Sequence, residues 1–171
     1  VVAAAVILPH EFDEKYNIHL EFIKDSKKLS YKKRVEMYHI IKEIAIDYSV
    51  SFVDNNIIDR DNIRKATLTA MQTAINNLNI VPEFLYIDGN YYVSHNDIKF
   101  KCIPQGDSKF MCIAAASILA KVERDMYVET TMHNEYPLYN WVKNKCYGTK
   151  EHYNAINEYG ITEYHRKTFL H

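Results

Sequence analysis

Glycine is scarce here: four residues in 171, Gly89, Gly106, Gly148 and Gly160. That is roughly 2% where ~7% is ordinary. Glycines this rare stand where the backbone needs a conformation that other residues resist, which singles out Asp88-Gly89, Gly106-Asp107 and Tyr147-Gly148. Cysteine is scarce too. Cys102, Cys112 and Cys146 are odd in number and lack C-x-x-C spacing. This excludes a disulfide framework and a cysteine-held zinc site, and fits a reducing compartment such as the cytoplasm. No apolar run approaches the roughly 20 residues that a membrane span requires. Neither charge sign dominates: Lys and Arg number 21, Asp and Glu 22, for a net charge of −1. A nucleic-acid partner would have to be met by local charge, not bulk charge. There is no G-x-G-x-x-G and no G-x-x-x-x-G-K-[ST], which removes the dinucleotide and P-loop readings, and the eight histidines show no zinc spacing.

What is present describes one globular domain. Hydrophobic residues make up 47% and charged residues 25%, ordinary usage for a chain that buries a core. The sequence opens on an apolar run, Val1 to Leu8, closed by Pro9, which reads as a buried strand. With no Met ahead of it, the expectation is a chain that starts inside its domain. His10 to Lys28 is polar. A helix follows, capped by Ser30, with Val35, Tyr38, Ile41, Ile44, Ala45 and Tyr48 on one face. Ser49 to Val53 alternates as a half-buried strand. A second helix is expected over about Asp61 to Leu78, ended by Asn79 and Pro82.

Strands are then expected at Phe84 to Ile87 and Ile98 to Ile103, the first ending in the turn Asp88-Gly89-Asn90. Pro104-Gln105-Gly106 breaks the second. A long helix runs from about Asp107 or Ser108 towards Tyr136, buried in its first half and amphipathic in its second. A last helix spans about Thr149 to Tyr159 and is closed by Gly160. Strands alternating with helices give a mixed α/β domain around one sheet. About 1–135 form the sheet-and-helix core and about 136–171 a helical C-terminal segment.

The chemistry concentrates at two aspartates. Asp88 ends an apolar strand and Asp107 follows a Pro-x-Gly break. On neighbouring strands both carboxylates would enter one crevice. Two close carboxylates repel unless a cation neutralises them, and an all-oxygen donor set favours Mg²⁺ or Mn²⁺. The competing reading is a common Asp-Gly turn and a common helix cap. A basic run, Lys24, Lys27, Lys28, Lys32, Lys33 and Arg34, surrounds a helix start that would suit phosphate; a solvated lysine cluster explains it equally. Trp141 to His152 mixes aromatic and basic residues, including Lys143, Lys145 and Tyr147, in the manner of a stacking platform for nucleic acid. A surface loop with an exposed tyrosine explains it too. Tyr164-His165-Arg166-Lys167 is similarly basic. Cys146 reads as an inert thiol.

In these residues the chain resembles the type 2 ribonuclease H (ribonuclease HII) family. The resemblance rests on Asp25-Ser26-Lys27-Lys28-Leu29-Ser30, the helix from Asn62 to Ile75, Ile87-Asp88-Gly89-Asn90, Gly106-Asp107-Ser108 followed by Ile113 to Lys121 and Arg124-Asp125, Lys145-x-Tyr147-x-Thr149 with His152, and His165-Arg166-x-x-Phe169. It implies a ribonuclease H-like fold, a mixed five-stranded sheet flanked by helices. It implies a monomer that hydrolyses the RNA strand of RNA–DNA hybrids and cuts 5′ to ribonucleotides embedded in duplex DNA, with a place in DNA replication and ribonucleotide excision repair. It implies four carboxylates and two ions, Mg²⁺ or Mn²⁺, with Asp88 and Asp107 as two of those ligands. Tyr147 falls on a tyrosine that meets the junction sugar. Lys27, Lys28, Ser108, Lys145, Thr149, His165 and Arg166 fall in substrate-bordering segments.

Three departures stand out. The leading Asp-Glu-Ala-Gly-Arg-Gly-Pro motif, which carries the other two carboxylates and the first central strand, would precede Val1 and is not among these residues. Gln105 stands where a lysine is usual, and Cys146 where a glycine is usual. The expectation is that a strand, from upstream or from a partner chain, completes the sheet. The alternative is a catalytically silent hybrid-binding module or an inactive truncated fragment.

Overall fold

The computed structural model describes residues 1–170. In chain order its elements are β1 (Val2–Ile7), α1 (Asn17–Lys24), α2 (Tyr31–Ile44), β2 (Asp47–Phe52), α3 (Asn55–Asp61), α4 (Ile63–Asn76), β3 (Phe84–Asp88), β4 (Lys99–Ile103), α5 (Met111–Tyr127), α6 (His133–Glu135), α7 (Trp141–Asn144) and α8 (Lys150–Tyr159). Among the described residues the strands form two sheets. β1 and β2 pair antiparallel, with Ala4 opposite Val50. β3 and β4 pair parallel, with Asp88 opposite Ile103. The inner edges of β1 and β3 pair with no other strand among the described residues. They face one another across a groove of about 770 Å³ whose remaining wall includes Ile113, Ala116, Ser117 and Ala120 of α5. The mixed α/β class holds, and the strands of the expected single sheet lie on either side of this groove.

Helices cover both faces of β1. Ala4 and Val6 pack with Leu20 and Ile23 of α1, Met37 and Ile41 of α2, and Ala114, Ala115, Ile118 and Leu119 of α5. Ala3 packs on the other side with Val53, Ile58, Ala66 and Ala70. Small residues let α5 approach β1 closely, so the alanine run is the means by which a helix this buried fits. The hydroxyls of Ser49 and Ser51 donate to the carbonyls of Ala74 and Ala70, which docks β2 on α4 and satisfies polar groups that would otherwise be buried unpaired.

Several boundaries differ from the pattern. The polar stretch after Pro9 contains α1, whose Leu20 and Ile23 are buried; two apolar anchors in a charged segment make too narrow a stripe to stand out. The α2 helix stops at Ile44, because Asp47 and Tyr48 already belong to β2. The helix expected over 61–78 is divided at Asn62. That residue takes φ 72° and caps α4 by accepting the backbone N–H groups of Arg64 and Lys65. The long helix begins later than expected, at Met111, after a 3₁₀ turn over Gly106–Ser108. It continues as a π-helical turn over Val128–Met132 before α6. Ser30 and Thr149 are N-caps, as the pattern indicates for Ser30. No described helix is long and apolar enough to cross a membrane.

Candidate active site

Asp88 is where the strand pattern puts it. Along β3, Leu85 and Ile87 point inward while Phe84, Tyr86 and Asp88 alternate outward. Gly89 turns the chain with φ 96°, and its N–H donates to the Ile103 carbonyl at 3.0 Å. That bond extends the β3–β4 ladder beyond its last side chain. At the end of β4, Gln105 takes a left-handed φ of 56° and starts the turn that carries Asp107.

The two aspartate segments touch. The Gly106 N–H donates to Asp88 Oδ1 at 2.9 Å. A Cβ added at Gly106 would lie 2.5 Å from Ile113 Cδ1 and 3.4 Å from Asp88 Oδ1. The absence of a side chain there allows the carboxylate to sit on the backbone of residue 106, next to the residue that carries the second carboxylate. Asp107 is largely covered, and its Oδ1 lies 3.0 Å from Lys27 Nζ. Lys27 comes from the 3₁₀ turn Ser26–Lys28 between α1 and α2. Three segments distant in sequence thus meet at one rim, at the carboxyl ends of two parallel strands. A recess beside it is lined by Ser26, Lys27, Arg34, Asp107, Ser117 and Lys121.

The charge balance of this rim is particular. An ammonium group faces Asp107, while Asp88 has one oxygen held by a backbone N–H. Among the described residues no group of three or more His, Cys, Asp or Glu side chains gathers as a metal cage. The pair offers carboxylate oxygen that suits Mg²⁺ or Mn²⁺ by donor type, and two carboxylates would fill part of a coordination shell, not all of one. Asp88 also lines the groove between the sheets, together with Lys121 and Arg124 of α5.

The other candidates divide into those turned outward and those engaged internally. Lys28 is exposed and reaches Asp25 at 3.4 Å. The Ser108 hydroxyl donates to the Gln105 carbonyl at 2.8 Å and is committed to its turn. Lys145 pairs with Glu129, which also accepts from the Tyr31 hydroxyl at 3.1 Å. The Thr149 hydroxyl caps α8 at the His152 N–H. Arg166 lies against the Phe169 ring, 4.2 Å from its centroid. His165 is 6% exposed and sits in the interior instead of on a basic surface. The adjacent run at the start of α2 is also spoken for: Lys33 pairs with Glu36 and Arg34 reaches Asp125 at 3.9 Å.

Tyr147 is the clear exception, 63% exposed. Its ring lies 5.2 Å from the Arg124 guanidinium, which also donates to the Lys145 carbonyl. The loop beneath it is tightly specified. Lys145 and Cys146 take φ values of 50° and 64°. The buried Asn144 side chain donates to the Tyr139 carbonyl at 2.8 Å and accepts the Cys146 N–H at 2.9 Å. Burial pushes the Cys146 thiol up to about 11, so it stays protonated and unreactive at neutral pH, as its sequence context suggests. Glu129 is not singled out by the sequence, and Arg124 stands out there only as part of the matching stretch Arg124-Asp125. Both lie on what reads as the amphipathic half of a long helix, and only the π turn aims Glu129 at the Tyr147 loop.

Comparison with known proteins gives consistent matches. The family model for ribonuclease HII matches residues 1–171. A ribonuclease HII from Flavobacterium psychrophilum is 45% identical over 190 residues, covering 99% of this chain and 83% of that protein. One from Parabacteroides distasonis is 47% identical over 169 residues, covering 99% of this chain and 81% of the other. Among solved structures, ribonuclease H2 from Pyrococcus horikoshii superposes with a TM-score of 0.74 at 22% identity, over 99% of this chain and 94% of that one. Bst ribonuclease HIII, in complex with Mn²⁺, superposes with a TM-score of 0.66 at 17% identity, over 99% of this chain and 61% of that one.

Proposed function

The chain belongs to the ribonuclease HII family, and on that premise we propose that the rim holding Asp88 and Asp107 is where it cuts RNA. The protein is an endoribonuclease that hydrolyses the RNA strand of RNA–DNA hybrids and depends on a divalent metal. The finer reading is that it also cuts 5′ to a single ribonucleotide embedded in duplex DNA. It would act as a monomer and one domain, with 136–171 as the substrate-contacting segment.

One observation carries the reading: the Asp88 carboxylate is bonded to the backbone N–H of the residue next to Asp107. That contact brings two acidic residues, nineteen apart in sequence, to one end of a parallel strand pair. A divalent cation bound there would lower the pKa of the attacking water and offset charge on the leaving oxygen. The chain's own residues have separate tasks. The Gly106 N–H fixes one Asp88 oxygen, and the other would be the one to hold a cation. Lys27 neutralises Asp107 and stands within reach of an incoming phosphate. Arg124 holds the Tyr147 ring at the surface, where its face can pack on the sugar at an RNA–DNA junction. In the reaction, water oxygen bonds to phosphorus as the P–O3′ bond breaks. The products end in a 3′-hydroxyl and a 5′-phosphate.

The test is incubation of a DNA duplex carrying one ribonucleotide with Mg²⁺ or Mn²⁺. Cleavage on the 5′ side of the ribonucleotide is expected. Asp88→Asn and Asp107→Asn should each reduce kcat by more than about a hundredfold, since even groups that merely orient metal ligands cost 10–100-fold. Equal cleavage by Asp88→Asn would overturn the assignment. So would hybrid binding without cleavage, which would make the protein a binding module.

A further inference from the structure

Behind the Tyr147 loop lies a buried cluster that the carboxylate rim does not use. Trp141, the single tryptophan of the chain, is 1% exposed, and its indole N–H donates to His152 Nε2 at 3.2 Å. His165 Nε2 lies 3.1 Å from the same nitrogen. On its far side, His165 Nδ1 accepts the Thr162 backbone N–H at 2.9 Å and lies 3.0 Å from the Thr162 hydroxyl. His152 Nδ1 lies 3.0 Å from the Tyr147 carbonyl oxygen. Both rings are buried, and Tyr139 packs on them.

These distances admit one arrangement of protons. A nitrogen that accepts a backbone N–H carries no proton, so neutral His165 is protonated on Nε2 and donates to His152. His152 Nε2 then accepts from both Trp141 and His165. Its own proton must sit on Nδ1, where it is donated to the Tyr147 carbonyl. Every polar atom of both rings is satisfied, provided that both are uncharged. A proton added to His165 Nδ1 would face the Thr162 N–H. One added to His152 Nε2 would face two N–H donors.

We propose that the neutral His152–His165 pair is a positioning device that sets the backbone of Tyr147, and that protonating His165, which sets N–H against N–H at Thr162 and shifts the ring that holds His152, loosens the Tyr147 loop and weakens capture of the RNA–DNA junction. The proposal rests on the reading that Tyr147 meets the junction sugar. Among the described residues the Tyr147 carbonyl otherwise accepts the Thr149 N–H, at 2.8 Å, and the Tyr147 N–H donates to the Asn144 carbonyl at 2.9 Å, so His152 supplies one of three hydrogen bonds on the Tyr147 backbone. Burial, and then His152 itself, lowers the His165 pKa. With the folded value below the unfolded ~6.5, the contribution of His165 to stability is complete above that pH and is lost as pH falls through the folded value.

Beyond the Thr162 hydroxyl oxygen, no described charged group is placed to hold an imidazolium. Among the described residues no carboxylate is hydrogen-bonded to either ring. Glu151 is engaged by Asn140 and Lys143, Glu163 by Tyr136 and Glu135 by Tyr164. Asp54 caps α3, and Asp59 accepts the backbone of Lys167 and Thr168. The cations that act on the adjoining Cys146, namely Arg124, Lys145 and Arg166, would only oppose a further positive charge.

Trp141 serves as the reporter. Its fluorescence is expected to stay constant from pH 8 to about 6.5, and then to fall as the imidazolium forms beside the indole. Binding is read without metal, in EDTA, by anisotropy of a labelled DNA duplex with one ribonucleotide against an all-DNA duplex. The preference for the ribonucleotide is expected to weaken over the same pH range, by up to about tenfold per pH unit for one proton. His165→Gln, whose amide can accept the Thr162 N–H and donate to His152 but does not titrate, should flatten that dependence. An equal acid loss of preference in His165→Gln would overturn the proposal. So would a fluorescence transition with no change in preference. Imidazole ¹⁵N shifts of the wild type give a check that needs no variant: His152 should carry its proton on Nδ1 and His165 on Nε2, and the reverse pattern would sink the device. If Tyr147→Ala keeps the full preference while the tautomers and the fluorescence transition stand, the failure belongs to the Tyr147 reading and not to the pair.

Discussion

Lys27 is the residue whose role changes most between sequence and structure. In the sequence it is one of six clustered cations, suited equally to phosphate or to solvent. In the fold it alone of that cluster reaches a candidate catalytic carboxylate, Asp107, at 3.0 Å. An ammonium group at that position competes with a divalent cation for the same oxygen. Lys27→Met is therefore expected to tighten Mn²⁺ binding by up to about fivefold, the equivalent of the ~1 kcal/mol that a partly exposed pair contributes. Calorimetric titration reads the change, and weaker binding in the variant would show that Lys27 supports the site instead of screening it. Asp88, by contrast, was legible at once. An apolar strand that ends in Asp-Gly places a carboxylate at the strand's carboxyl end, and the paucity of glycine made that turn stand out. The histidine pair was not legible. His152 and His165 look like parts of two basic surface segments, and only the packing of Trp141 and Tyr139 turns them inward.

At the scale of elements, α5 decides how the site is built. Its alanines allow it to lie against β1, and its first turn presses Ile113 against Gly106. Ala115 is fully buried in the cluster shared with α1 and α2. Ala115→Leu is expected to cost about 1–3 kcal/mol through overpacking, measured by urea unfolding. A cost near zero would mean that the packing there is loose. The apolar character of this helix is plain in the sequence. Its start is not, because the segment from Gln105 to Phe110 is held by backbone conformation and a 3₁₀ turn instead of by an apolar stripe. The π turn at Val128–Met132 is equally invisible, since one extra residue per turn leaves a 3.6-residue pattern almost unchanged over five positions. The Asn62 break is visible only in retrospect. Asn tolerates a positive φ and caps the helix that follows, but it sits within an apolar pattern that continues on both sides.

For the whole molecule, periodicity identifies strands but not their partners. Val1 to Leu8 and Phe84 to Ile87 read as strands from their composition, and only the family resemblance, with its further central strand, implies that each keeps an open edge; that Asp88 lies in the wall of the groove between them is seen only in the fold. That arrangement places the carboxylate rim where two sheets and α5 converge, and it makes the site a property of the assembled fold. On the proposed function, Asp88 and Asp107 hold one cation jointly. Two ligands of a single ion are coupled, so their losses do not add. Mn²⁺ titration by calorimetry of the wild type, Asp88→Asn, Asp107→Asn and the double variant tests this directly. A shared ion predicts that each single variant loses nearly all of the tight binding and that the double variant loses little more. Losses that add, or tight binding that survives in either single variant, would contradict it.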